Sequence, residues 1–160
     1  MNAASVTIRE VRSGSEIAQV RNLFVEYAAA IGIDLEYQGF SAELASLPGK
    51  YAPPTGELFL ANMGGEAGGC VALRALDLRT LELKRLYVRP ATRGLGLGKR
   101  LVEVAIASAR RQGCAELRLD TLATMAPAQA LYRSFGFVEI APYGTGHIHD
   151  TRFYGLSITS

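Results

Sequence analysis

The sequence predicts an α/β (α+β) fold: a mixed central sheet of about six to seven strands flanked by about four helices, in the order β-α-α-β-β-β-α-β-α-β-β. Three observations predict it. The chain has 160 residues, 49% hydrophobic and 20% charged, enough to bury a core. Segments of period-two alternation are interspersed with segments of helical period. No linker, repeat or charge block divides the chain, so one domain over residues 1–160 is expected.

Val6 to Val11 is β-branched and roughly alternating, which suits a first strand. Ser13 and Glu16 fit a capping box, and Ile17, Val20, Phe24 and Ala28 behind them carry a helix to about Ala30. Leu35 to Gly56 reads as a loop with a short helix, Ser41 to Leu47, of the kind that covers a site. Glu57–Asn62, Gly69–Leu76 and Leu81–Val88 are strand-like runs separated by turn residues, and they predict an antiparallel meander. A glycine-rich turn follows Pro90. Leu97 to Gln112 then forms an amphipathic helix, with Leu97, Leu101, Val104 and Ala105 on the apolar flank and Gly113 as its stop. Glu116–Leu122 alternates as a strand, Ala126–Phe135 suits a short helix, and Phe137–Ile140 and Thr151–Ile158 supply the last strands.

Composition narrows the function. A formal net charge of +2 gives no footprint for a nucleic-acid binder. No apolar run approaches the roughly 20 residues that span a bilayer, and Met1 to Glu10 lacks the pattern of a secretory signal, so a cytoplasmic protein without membrane contact is expected. Cys70 and Cys114 belong to no CxxC pattern and read as small buried apolar residues. His147 and His149 lack further ligand spacing, and no metal is expected there. Tyr27, Tyr37 and Tyr51 read as packing residues, not as platforms for bases.

The segment Arg93-Gly94-Leu95-Gly96-Leu97-Gly98-Lys99-Arg100 joins a strand to a helix, where backbone N–H groups and the positive end of the helix dipole favour phosphate. It is not a P-loop, because Arg93 occupies the first glycine position and Arg100 the Ser/Thr position. It is not a dinucleotide fingerprint either, since Lys99 or Leu101 stands where the third glycine belongs. It does fit [RQ]-x-x-G-x-[GA], through Arg93, Gly96 and Gly98. With Glu82 to Pro90 before it and Ala128-Gln129-Ala130-Leu131-Tyr132-Arg133-Ser134-Phe135-Gly136-Phe137 after it, the chain resembles the GNAT superfamily of acyl-CoA-dependent N-acyltransferases.

That resemblance implies an N-acetyltransferase moving an acetyl group from acetyl-CoA, a co-substrate, directly to a primary amine, a small molecule before a protein. The main-chain donors from Arg93 through Gly94, Leu95, Gly96, Leu97, Gly98 and Lys99 would cradle the pyrophosphate, and the strand end Leu86, Tyr87 and Val88 would pair with the pantetheine arm. A bulge there would splay this strand from the next, with the Leu86 N–H facing the thioester oxygen. Tyr132 matches the family's tyrosine beside the sulfur, as a general acid or as a packing residue. Met125 stands where many members carry asparagine, and would line the tunnel by packing.

Glu82 falls at the position of a general base in some members. Ideal pleating puts it on the face of Leu86, about 13 Å away, so a water relay is implied. The alternative is a salt bridge to Lys84, Arg85 or Arg74. In the family, the Leu35–Gly56 region helps form the acceptor pocket, which makes Glu36, Tyr37, Gln38 and Tyr51 candidate contacts. No cysteine sits in the motifs, which speaks against a covalent enzyme intermediate. The rival reading is a non-catalytic acyl-CoA-binding or sensing module, needing the glycine turn but neither Tyr132 nor an amine site. Dimers are common in the family; the acceptor and the acyl length are left open.

Overall fold

The computed structural model describes residues 5–144 and 150–158. His147 and His149 lie outside the described residues. The elements follow the expected order: β1 (Val6–Glu10), α1 (Ser15–Ile31), α2 (Phe40–Ser46), β2 (Glu57–Met63), β3 (Glu66–Ala75), β4 (Thr80–Val88), α3 (Leu97–Arg111), β5 (Glu116–Leu122), α4 (Ala126–Ser134), β6 (Val138–Glu139) and β7 (Thr151–Ser157). Short 3₁₀ turns at Leu35–Gln38, Gly49–Tyr51 and Pro90–Thr92 fill the longer connections.

The strands form a 7-stranded sheet in the order β1-β2-β3-β4-β5-β7-β6. All neighbours are antiparallel except β4 and β5, which run parallel through the α3 crossover. Alternation along the strands sorts the core onto opposite faces. Phe59, Val71, Leu73, Leu81 and Leu83 pack with α3 residues such as Leu101, Val102 and Ala105. Leu58, Leu60, Cys70 and Ala72 pack with Val20, Leu23 and Phe24 of α1. Cys70 and Cys114 are free and buried, and burial pushes both thiols up.

The expected capping box at α1 does not form. Gly14, at φ 75°, is the N-cap, and no side chain caps the helix. Glu16 instead approaches Arg9 at 3.7 Å, a surface pair. The left-handed Gly14 starts the helix later than the box would require, so Ser13 falls outside capping position.

The feature that shapes the molecule is the parting of β4 and β5. Their ladder runs Thr80↔Glu116, Leu81↔Leu117 and Glu82↔Arg118, then stops. β5 stays paired with β7 as far as Leu122↔Thr151. β4 breaks away at a bulge, because Cys70 pairs with Tyr87 while Ala72 pairs with Lys84. Arg85 carries it at φ 59°, unusual for a residue with a side chain. The extra residue bends the strand and opens a wedge between β4 and β5.

Candidate active site

A cleft follows that wedge. At its mouth is a space of about 480 Å³ bordered by Leu86, Tyr87 and Val88 of β4, by Arg93 and Gly98 of the glycine turn, and by Leu131 of α4. Further in, it narrows to about 50 Å³ beside Leu86, Asp120, Met125 and Tyr132. It then widens to about 330 Å³ on the far side, among Lys50, Arg74, Glu82, Lys84, Asp120 and Tyr143. Leu86 and Met125 border both the mouth and the neck. Lys84 and Asp120 border both the neck and the far cavity. The three spaces therefore adjoin one another along the parted strands.

On the side of the glycine turn the mouth presents main chain, at Gly98. Gly96, at φ 77°, turns the chain into α3, a conformation that costs other residues. The first helical bond closing there is Arg100 N–H to the Gly96 carbonyl, at 3.2 Å. Earlier N–H groups of the first turn have no partner within the helix, which makes this end a natural anion seat. A Cβ on Gly98 would meet Leu131 and Val88 only at 3.5 and 3.7 Å, so the protein itself does not demand glycine here. The bare backbone leaves the mouth open. Arg93 Nε donates to the Val88 carbonyl at 3.1 Å, which ties the turn to the end of β4. Leu95 and Lys99 are exposed beside it, whereas Leu97 is buried in the core, so only its main chain can serve the mouth.

Tyr132 reaches the neck from α4. Gln129 anchors that helix by donating to the Leu122 and Ala123 carbonyls at 3.0 and 3.1 Å and accepting from the Tyr154 hydroxyl at 3.0 Å. The Tyr132 ring meets Phe137 edge-on at 5.8 Å. Burial pushes its phenol well above the ordinary value, so it stays protonated across the physiological range. Met125 borders mouth and neck, and its sulfur lies 3.9 Å from the Thr121 hydroxyl.

The bulge is clamped from outside the sheet. Arg85 donates from Nε and Nη2 to the carboxylate of Glu43 on α2, both at 3.0 Å, and the paired side chains are only 2% and 3% exposed. Its guanidinium lies over the rings of Phe40 and Tyr27. Burial alone would push Glu43 up, but Arg85, helped by Lys50 and Tyr51, holds the carboxylate below its usual value. A second, more open clamp joins Arg89 to Glu26 of α1 at 2.7 Å.

Glu82 is placed differently from its expected position. The bulge adds a residue between Glu82 and Leu86 and so reverses the alternation. Leu86 and Val88 pack with the Leu81 and Leu83 cluster, while Glu82 lies on the opposite face. It is buried, accepts from Arg74 Nε at 2.8 Å and from the Tyr143 hydroxyl at 2.7 Å, and borders only the far cavity. The salt-bridge alternative is thus realised, with Arg74. Burial, followed by the nearby Glu82, pushes the Tyr143 phenol up.

Of the loop candidates, Tyr37 and Gln38 do border the neck and the far cavity. Glu36 does not. It accepts from the Ser41 N–H at 2.9 Å and from its hydroxyl, bracing the start of α2. Tyr51 is fully buried against Phe24, where the aromatic ring fills the core. Asp120, Lys84, Arg74, Lys50 and Tyr143 were not singled out by the sequence as site residues. The only available signal was strand parity in β5, which puts Asp120 on the face opposite Leu117 and Leu119.

These features are those of an acyltransferase-type mixed sheet split at its centre. A model of the acetyltransferase (GNAT) family matches residues 18–137. A Schizosaccharomyces pombe protein named as an uncharacterized N-acetyltransferase is 39% identical, over 99% of both chains. Among solved structures, a GNAT-family acetyltransferase from Staphylococcus aureus superposes with a TM-score of 0.81 at 24% identity, covering 97% of this chain and 100% of that one. An acetyltransferase from Salmonella typhimurium, solved with acetyl-CoA, gives a TM-score of 0.69 at 24% identity over 99% and 95% of the chains. The chain belongs to the acetyltransferase (GNAT) family and is an N-acetyltransferase, an enzyme of the acyltransferase class.

Among the described residues, no helix is long and apolar enough to cross a membrane, and no His, Cys, Asp and Glu group could hold a metal ion.

Proposed function

We propose that this enzyme transfers the acetyl group of acetyl-CoA directly to a primary amine of a small acceptor, with both substrates bound in one cleft. The observation that carries this reading is the row of adjoining cavities along the β4–β5 wedge, with the glycine turn at one end and a charged cavity at the other. A pyrophosphate suits the main-chain donors from Gly94 to Lys99, with Arg93 beside them. An extended pantetheine arm suits the strand edge that β4 loses when it leaves β5. The thioester then falls at the neck, where the Leu86 N–H is the donor to the oxygen that gains charge during attack.

The protons follow from the lining. An acceptor amine arrives mostly as an ammonium ion and must lose a proton before it attacks. Asp120 borders both neck and far cavity and is the direct candidate to take it. Glu82 borders only the far cavity and has both oxygens bonded, so it takes a proton only through water. On collapse of the tetrahedral intermediate the thiolate leaves, and Tyr132 is the hydroxyl at the neck that can protonate it or hydrogen-bond to it. A small acceptor is favoured because Tyr37 and Gln38 of the Leu35–Gln38 turn border the far cavity.

The test is coenzyme release across amino acids, polyamines, aminoglycosides and peptides, run on the native enzyme and on Tyr132→Phe. Release with a particular amine class, and about a tenfold or greater fall in kcat for the variant at saturation, is expected. Micromolar coenzyme binding with no amine-dependent release would support the sensing module instead. A loss below threefold, with chemistry rate-limiting, would remove Tyr132 from proton transfer. Because burial raises the phenol, any fall in rate at pH 8–9 belongs to another group.

A further inference from the structure

A cavity made for a simple ammonium ion should be lined by carboxylates. The far cavity is not: among its described lining residues, Lys50, Arg74 and Lys84 outnumber Glu82 and Asp120. Nor are these cations fully matched by the anions near them. Glu82 has one oxygen on Arg74 and the other on Tyr143. Lys84 Nζ, on a side chain 9% exposed, donates to the neutral amide oxygen of Gln38 at 3.2 Å and stands 4.0 Å from Glu82. Lys50 lies 3.3 Å from Glu43, whose two oxygens are already held by Arg85. Burial lowers the Lys84 pKa against the opposing pull of Glu82 and Asp120, so these carboxylates offset its desolvation only in part.

We infer that the acceptor carries a carboxylate close to its amine, as an amino acid does. The carboxylate sits among Lys84, Arg74 and Lys50, and the amine turns toward Asp120 and the neck. This deepens the N-acetyltransferase reading above and rests on it. The geometry is complementary. Arg74 engages Glu82 through Nε, and a guanidinium presents a fork of donors suited to a planar carboxylate. Lys84 borders both the far cavity and the neck, so an anion beside it brings an amine a few bonds away to the thioester end. A polyamine in the same place would set further cations against Lys50 and Lys84.

The experiment compares each common amino acid with its own amide and its decarboxylated amine, by coenzyme release. We expect kcat/KM for the acid to exceed that of its amide and its amine at least tenfold for the preferred side chain. Lys84→Met should raise KM for the acid about tenfold or more and raise KM for the amide by a clearly smaller factor. Lys50→Met, at a more exposed position, should do the same to a smaller degree without disturbing the fold. Amides or decarboxylated amines matching or exceeding the acids in every set would overturn the inference and leave the transferase intact. Equal losses on acid and amide in both lysine variants would also overturn it. Coenzyme binding with no release from any amine would reject the transferase reading, and the inference with it.

Discussion

The two ends of the cleft are made of different material. The mouth joins the bare backbone of the glycine turn and the end of β4 to largely apolar side chains of α1 and α4, such as Ile31 and Leu131. The far cavity is assembled from charged and polar side chains on the Leu35–Gln38 and Gly49–Tyr51 turns, β3, β4, β5 and the segment after β6. A surface built from backbone tolerates change in side chains and suits a constant molecule. One built from scattered side chains changes with each substitution and suits a variable molecule. Two clamps of different kind also hold β4: buried Arg85–Glu43 at the neck, and Arg89–Glu26, with side chains 32% and 37% exposed, just past its end.

The sharpest break of that contrast is Glu43→Ala. It strands the Arg85 guanidinium without a carboxylate in a site that water barely reaches, and losing one member of a buried pair costs about 3–5 kcal/mol. Glu26→Ala removes a pair open to solvent and should cost no more than about 1 kcal/mol. Urea denaturation of both variants checks the difference. The clamp also has a pH signature. Glu43 is held below its ordinary value of 4.5, so its contribution is present above that pH and fades as pH falls below it. Equal losses in the two variants would mean that the bulge is held by the sheet and not by α2.

The next effect separates the carboxylates of the far cavity. Asp120→Asn should lower kcat about a hundredfold if Asp120 takes the amine proton directly. Glu82→Gln should lower it far less and act mainly through KM, because Glu82 orients Arg74 and Tyr143. Steady-state kinetics against pH check this, since only the direct base should remove the acid limb of the kcat/KM profile. The reverse ranking would return the base role to Glu82 and a water relay.

How much of this was legible in the sequence follows the same division. The order of elements was readable because hydrophobic period changes sharply between strands and helices, and β5 was placed at its observed bounds. The turn into α3 is legible because its glycines lie within one short run of residues. The side of the sheet on which Glu82 lies was not. Alternation counted along β4 assumes an even ladder, and the extra residue at Arg85 reverses it. The resemblance implies the bulge, but ideal pleating takes no account of the change of parity that the bulge brings to Glu82. The capping box failed for a similar reason, since Ser13 and Glu16 have the right spacing but Gly14 starts α1 elsewhere. Arg74, Lys50 and Tyr143 are far apart in the chain and meet only when the sheet and its turns assemble, so no local pattern announces them.

The smallest expected effect is at the mouth. Arg93 is exposed, and its Nε donates to the Val88 carbonyl, so its charge adds to main-chain donors that would remain without it. Arg93→Ala should therefore raise KM for acetyl-CoA about three- to tenfold and leave kcat for the amine nearly unchanged, since exposed charges contribute only about 1 kcal/mol. The effect should shrink as salt is raised toward 0.5 M, because screening shortens the reach of a surface charge. Lys99→Ala, on the adjacent exposed face of α3, should show less still. A hundredfold loss in Arg93→Ala would show that the side chain, and not the backbone of the turn, holds the phosphates. The mouth would then be as dependent on side chains as the cavity at the other end.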